Sequence, residues 1–169
     1  SYGCKGSKGK FIELKNKKTT MTNYEKSNAY TAVDTKAKLT KQYYKDLLLT
    51  SENLVARQRA SQRLINYLCK YFGIERAVVR VVDRKQPHEV GTRGKLITKT
   101  LGLYHPTSQV ITMYNRTAIK RKVVSIKTFT DILLHEFIHH YDSCYLKLTD
   151  SIHTVGFYKR ITDLQEKLS

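Results

Sequence analysis

Tryptophan is absent, cysteine and proline are scarce, and acid is outnumbered: 14 Asp and Glu face 31 Lys and Arg. Cys4, Cys69 and Cys144 are odd in number, far apart, and form no C-x-x-C pair. That spacing argues against a disulfide scaffold and a zinc ribbon, and favours a reducing compartment. No apolar run reaches the length of a membrane span, and no signal-peptide h-region is visible. These absences lead to the expectation of a cytoplasmic or intracellular protein with no membrane span. The shortage of acid leaves a formal charge of +17, large for 169 residues. Such a charge suits polyanionic surroundings, nucleic acid first and an anionic membrane second. A basic surface also serves solubility alone. The chain is long enough for one compact domain with a real core. Its 12 tyrosines carry no functional signal by themselves.

What is present centres on Asp131 to Asp142, DILLHEFIHHYD. Within it, His135-Glu136-Phe137-Ile138-His139 reads H-E-x-x-H. At about 3.6 residues per turn, His135 and His139 lie about 40° apart on one helical face. Two imidazoles so placed can hold one Zn²⁺ and leave room for further ligands. Glu136 follows the first histidine, where it can take a proton from an attacking water. Two histidines on an amphipathic helix can also be ordinary surface residues, but the context is strongly helical. Ser125 is a plausible N-cap, and Ile126, Phe129, Ile132, Leu133, Phe137 and Ile138 recur at helical spacing. Leu134 and Phe137 flank the glutamate with apolar surface, which limits water and sharpens metal electrostatics.

Residues 1–20 are basic and glycine-interrupted, with Lys5, Lys8, Lys10, Lys15, Lys17 and Lys18 against Glu13. They read as an arm that touches phosphates or as a flexible tail. Met21 to Lys38, polar and poor in large aliphatics, reads as linker or loosely held structure. Tyr43, Tyr44, Leu47 and Leu48 suggest a short helix. Ser51 is expected to cap a second helix, with an apolar stripe from Leu54 to Phe72, Arg57, Arg59, Arg63 and Lys70 on its solvated side, and Gly73 as its stop. Residues 77–82 read as a strand. Residues 86–94 read as a loop. Residues 96–104 and 109–114 read as a hairpin joined by 105–108. His88 and His105 are expected to be exposed loop histidines. Arg116, Lys120, Arg121, Lys122 and Lys127 form a basic patch expected to border the cleft, as a nucleic-acid contact or a solvated loop. The metal helix is expected over 126–146 and a last helix over 155–168.

A catalytic zinc usually takes three protein ligands and keeps a position for water. The candidates for the third are His153, His140, Asp142 and Asp150. His140 is rotated by about 100° from His139 and should point elsewhere. Asp142, seven residues after His135, returns to nearly the same face. It could ligate, or accept a hydrogen bond from a ligand imidazole or from the chain carrying His153, fixing the tautomer. His153 is the reading preferred here, because the connection after the metal helix can fold back over the open metal face. Tyr158, Tyr141 and Tyr104 are candidate oxyanion donors, with no basis for choosing among them. Residues 109–114 are the expected sheet edge for an extended substrate.

H-E-F-I-H followed by H-T-V-G-F-Y-K-R-I, His153 to Ile161, resembles the SprT-like (Spartan-type) zinc peptidases. His153 and Phe157 fall on the His and Phe of that family's H-G-x-x-F pattern. Thr154 stands where the family prefers Gly, with Gly156 nearby, and the cysteine-rich zinc ribbon of some members is missing. The resemblance covers roughly residues 39–168, with only the two short motifs specific. It implies an α+β, minimal zincin-like metallopeptidase domain over 39–169: N-terminal helices, a small mostly antiparallel sheet with a hairpin, a metal-site helix and a C-terminal helix. Residues 1–38 would then be a basic flexible N-terminal arm and linker. It implies Zn²⁺ on His135, His139 and His153, Glu136 as general base, and cleavage of proteins on or near DNA. The partners expected are a protein substrate, and DNA or another polyanion through the basic arm and the 116–127 patch. Two alternatives stay open: a non-catalytic basic nucleic-acid-binding module with a structural zinc, which a fourth ligand such as Asp142 would favour, and a secreted or surface zinc protease.

Overall fold

The computed structural model describes residues 20–92 and 96–169, with backbone alone for 96–98. Its elements are α1 (Asn23–Ala29), α2 (Gln42–Leu48), α3 (Leu54–Phe72), β1 (Val78–Lys85), β2 (His88–Val90), β3 (Leu96–Lys99), β4 (Gly102–His105), β5 (Val110–Arg116), α4 (Ile126–Cys144) and α5 (Val155–Leu168). The fold is α+β, with a small mixed three-stranded sheet ordered β1-β5-β4 and a separate β2-β3 pair. The arm expected over residues 1–19 lies outside the described residues.

α4 is the central element. Ser125 caps it as expected, accepting the Thr128 amide at 3.3 Å. From Phe129 to Cys144 every residue is buried except Asp131, His135 and His139, which are partly exposed. Their spacing of four makes one stripe along a helix otherwise enclosed in core. On its opposite side Phe137 and Tyr141 pack against Phe72 of α3, with ring centroids 6.2 and 5.0 Å apart. The helix ends at Cys144, short of the expected Leu146. No helix among the described residues is long and apolar enough to cross a membrane. Cys69 is a free thiol buried in the core and Cys144 is disulfide-bonded, so the cysteines do not support the expected reducing compartment.

α3 stops at Gly73, which adopts the left-handed conformation (φ 66°, ψ 36°) that favours glycine. Its cap is Asn53 rather than Ser51: the Asn53 side chain accepts the Ala56 amide at 2.8 Å. Arg57, expected on the solvated side, is fully buried. Its Nε donates to the Ser51 carbonyl at 2.7 Å, its Nη1 to Asn115 Oδ1 at 3.0 Å, and its guanidinium lies over the Phe129 ring. The long apolar stem and delocalised charge allow an arginine such burial where its N–H groups find acceptors.

The sheet differs from its sequence reading in a way that matters for the site. β5 is the middle strand, parallel to β1 and antiparallel to β4, so residues 109–114 are not an edge. The outer side of β1 is closed by α3: Gln58 and Gln62 side chains bond the backbone of Val79, Val81 and Ala77 at 2.8 to 3.0 Å. β4 is therefore the open edge of this sheet. The expected strand 96–104 is two strands, β3 paired with β2 and β4 paired with β5. The Thr100 amide bonds the Pro87 carbonyl at 2.7 Å, extending the β2–β3 pairing by one step before β4 begins. His105 is the exposed last residue of β4, and His88 opens β2 half-buried.

Residues 21–38 are not loosely held. Thr22 and Glu25 form a capping box on α1, Ser27 is fully buried, and Val33 joins the core. The strand-like stretch that follows is laced down by tyrosines. Tyr141 accepts the Asp34 amide at 3.1 Å, Tyr71 the Ala37 amide at 3.0 Å, and Tyr67 the Thr40 amide at 2.7 Å. A polar sequence can be held by hydrogen bonds to a core it does not itself build, and hydrophobic periodicity is blind to that.

Candidate metal centre

The partly exposed stripe of α4 presents His135 and His139 one turn apart. After α4 the chain folds back, and His153 arrives just before α5. The three imidazoles converge, with their ligand atoms all within 4.8 Å of one another. His135 Nε2 and His153 Nε2 are 3.2 Å apart, and His153 Nε2 and His139 Nε2 are 3.0 Å apart. A tetrahedral zinc with Zn–N of about 2.0–2.1 Å separates its nitrogen ligands by roughly 3.3–3.4 Å. Those two separations fit a zinc ion within a few tenths of an ångström. Phe157, on the first turn of α5, lies 4.6 to 5.1 Å from all three rings and sets an apolar floor.

Burial sets the charge state of the imidazoles. Desolvation, reinforced by the neighbouring rings, pushes His135 down to about 4 and His139 down to about 3. Both are neutral at pH 7, as metal ligation requires. His139 Nδ1 meets Ser151 Oγ at 2.7 Å, and that hydroxyl donates to Asp142 Oδ2 at 2.8 Å. Asp142 is fully buried and paired with Arg160. Burial raises its pKa, while the guanidinium and the Ser151 hydroxyl favour its charged form. It stands outside the cluster of three imidazoles and supports one of them, His139, through a serine. Spacing alone could not nominate Ser151, which is nine residues from Asp142 and twelve from His139.

Glu136 lies on the same helix turned toward β4, 7 % exposed. Burial pushes its carboxyl up to about 7, against a contact with the Tyr104 backbone amide. Gly102 makes that proximity possible: a Cβ there would sit 2.7 Å from Ile132 Cγ2 and 3.2 Å from Glu136 Cγ. The histidines, Glu136 and β4 open onto a cleft of about 680 Å³ that also includes Asp131, Leu101, Leu148 and Asp150.

Other candidates are placed elsewhere. His140 is fully buried on the far side, its pKa lowered by burial, bonded to the Glu75 carbonyl at 2.7 Å and to the Tyr104 hydroxyl at 2.7 Å. Tyr104 is thereby committed to His140 and is no oxyanion donor. Tyr141 is fully buried with its hydroxyl at the Asp34 amide, so it too is removed from that role. Tyr158 remains beside the cluster, half-exposed, its ring 6.2 Å from His135 and 5.9 Å from His153. Asp150 lines the cleft outside the cluster, its carbonyl accepting from Asn23 at 2.5 Å. No residue of the 116–127 patch lines the cleft. Arg116 is engaged by Asp83 at 2.8 Å, while Lys120, Arg121, Lys122 and Lys127 are exposed.

No protein-family model, curated protein or solved structure matches this chain. The centre is therefore interpreted from its own geometry.

Proposed function

We propose that the chain is a zinc-dependent endopeptidase. The observation that carries this reading is the convergence of three imidazoles beside a buried glutamate and an open strand edge, in one cleft. His135, His139 and His153 would hold the ion. Bound there, zinc would polarise a peptide carbonyl and acidify an attacking water. Glu136 would accept a proton of that water at its carboxylate as the water oxygen bonds to the carbonyl carbon; the C–N bond then breaks and Glu136 returns the proton to the leaving amine. A carboxyl held near pH 7 by burial suits such two-way transfer. β4, rather than residues 109–114, offers backbone groups to an extended substrate. Tyr158, its ring beside the cluster, is the candidate that remains for donating to the developing oxyanion. Asp142, turned to Arg160 and Ser151, is not available as a fourth ligand, which disfavours a closed structural zinc.

The SprT-like motifs support the same activity. The exposed cations at residues 120–122 and 127, with the charge of +17, support substrates held on nucleic acid or another polyanion. Purified protein should carry about one zinc per chain. Glu136→Gln should retain that zinc and lose cleavage of an unfolded protein, assayed with and without DNA. A mutant as active as the parent, or a parent that binds no transition metal, defeats the reading. DNA binding should weaken steeply with salt; binding that is absent or indifferent to salt removes the nucleic-acid part alone.

A further inference from the structure

Arg160 is fully buried and uses all its N–H groups. A guanidinium has five. Nε donates to Asp142 Oδ1 at 3.0 Å and Nη2 to Asp142 Oδ2 at 2.8 Å. Nη2 also reaches Ser27 Oγ at 3.1 Å. Nη1 donates to the Ser27 carbonyl at 2.5 Å and the Tyr30 carbonyl at 2.7 Å. One side chain thus joins α4, α5 and the segment that begins with α1.

Two paths lead from this hub to the imidazoles. Along the first, Asp142 accepts the Ser151 hydroxyl proton. The serine oxygen is then left to accept Nδ1–H of His139. That fixes the His139 tautomer and leaves the Nε2 lone pair facing the cluster; the other tautomer would present an N–H there. Along the second, Ser27 Oγ meets Thr154 Oγ1 at 2.7 Å. Thr154 follows His153 directly and caps α5, accepting the Phe157 amide at 3.0 Å. Contact between α1 and α5 is close enough to need glycine: a Cβ on Gly156 would fall 2.4 Å from the Ser27 carbonyl. The Gly156 amide also donates to Asn28 Oδ1 at 2.9 Å.

A buried ion pair is poor value as a stabiliser, because desolvation offsets most of its attraction. Its worth here is positional. We infer that Ser151 and Arg160 are positioning residues of the metal centre, and that α1 is part of that centre, because one hydrogen-bonded hub fixes His139 through Asp142 and Ser151 and His153 through Thr154. The inference rests on the reading of the three histidines as zinc ligands. It also gives Thr154 and Gly156, which depart from the resembling pattern, a shared task at the α1–α5 contact.

The test uses the full chain, with zinc affinity measured against a chromogenic chelator, the visible spectrum of the cobalt-substituted protein, and melting of the metal-free protein. Ser151→Ala should lower zinc affinity on the order of 10- to 100-fold and shift the cobalt spectrum, while the metal-free protein still folds, with at most a modest drop in melting from the lost hydrogen bonds. Ser151→Thr, which keeps the hydroxyl, should restore both. Gly156→Ala, acting from the α1 side, should also weaken zinc. Should Arg160→Lys or the buried Gly156→Ala fail to fold, the Ser151 pair still decides the matter. Wild-type affinity and spectrum in Ser151→Ala overturn the positioning role, as does lowered melting with affinity unchanged. A parent that binds zinc but cleaves nothing would defeat the peptidase reading and leave this one standing. A parent that binds no zinc would defeat both.

Discussion

Gly102→Ala gives the sharpest test of why β4 lies where it does. Gly102 has no unusual backbone angle; it is glycine because of space. The added methyl would sit 2.7 Å from Ile132 Cγ2 and 3.2 Å from Glu136 Cγ. Carbon atoms in contact are about 3.5–4.0 Å apart, so the strand and helix must separate by roughly an ångström. Ile132 cannot easily turn its methyl aside, because a β-branched side chain on a helix is held near one χ1 rotamer. Overpacking of this kind costs about 1–3 kcal/mol. At about 2–4 °C per kcal/mol for a chain of this size, the melting temperature should fall by roughly 2–12 °C. The same displacement draws the Tyr104 amide and the strand edge away from Glu136. A misplacement of about 1 Å can cost on the order of 100-fold in rate, so kcat/KM on an unfolded protein should fall by that order. Zinc content should not change, because no ligand is on β4. Parental activity at the parental melting temperature would show that β4 and Glu136 are not spatially coupled as described.

Three further outcomes follow from the structure. In the metal-free protein, His135 and His139 have folded-state values depressed to about 4 and 3, so their contribution is full above about 6.5 and is lost as pH falls through those values. Glu136, raised to about 7, acts in the opposite sense, its contribution present below about 4.5 and lost as pH rises through 7. The two histidines outweigh Glu136, so urea unfolding should show lower stability at about pH 4.5 than at about pH 7.5; equal or greater stability in acid would contradict the burial argument. Tyr104→Phe leaves His140 Nδ1 buried without its donor, at a cost of about 1–3 kcal/mol, and chemical denaturation should register this with zinc affinity intact. Chelation should lower the melting temperature: zinc at about 100 times its Kd adds about 2.7 kcal/mol, or roughly 5–11 °C, and identical melting with and without metal would argue against a site in the folded state.

Much of the site was legible because it is local. H-E-x-x-H needs only the pitch of a helix, and the apolar spacing from Ile126 to Ile138 supplies that helix. Other parts were legible by elimination, as with His140, turned away by its rotation around the same axis. Ser151 was not, since it matters only because the chain returns over α4 after Cys144. Arg57 carries a charge that sequence reading assigns to solvent, yet it is buried with its Nη2 unpartnered, while Arg160, which no spacing singled out, is buried among acceptors from α4 and from residues 27–30. The tyrosines gave no functional signal, and several prove to hold residues 34–40 against the core through their hydroxyls.

From the sequence came the helix that carries the first two imidazoles, the acid beside them and the strong basic charge, all properties of composition or of spacing within one element, while the choice of His153 leaned on a connection that folds back over that helix. Tertiary structure alone decided which strand is the open edge, which hydroxyl supports His139, and that α1 belongs to the folded body. The edge and the hydroxyl depend on contacts between neighbouring elements, and α1 on contacts more than a hundred residues apart, such as Ser27 with Thr154 and Arg160. Periodicity along a chain records which face is buried, but not against what.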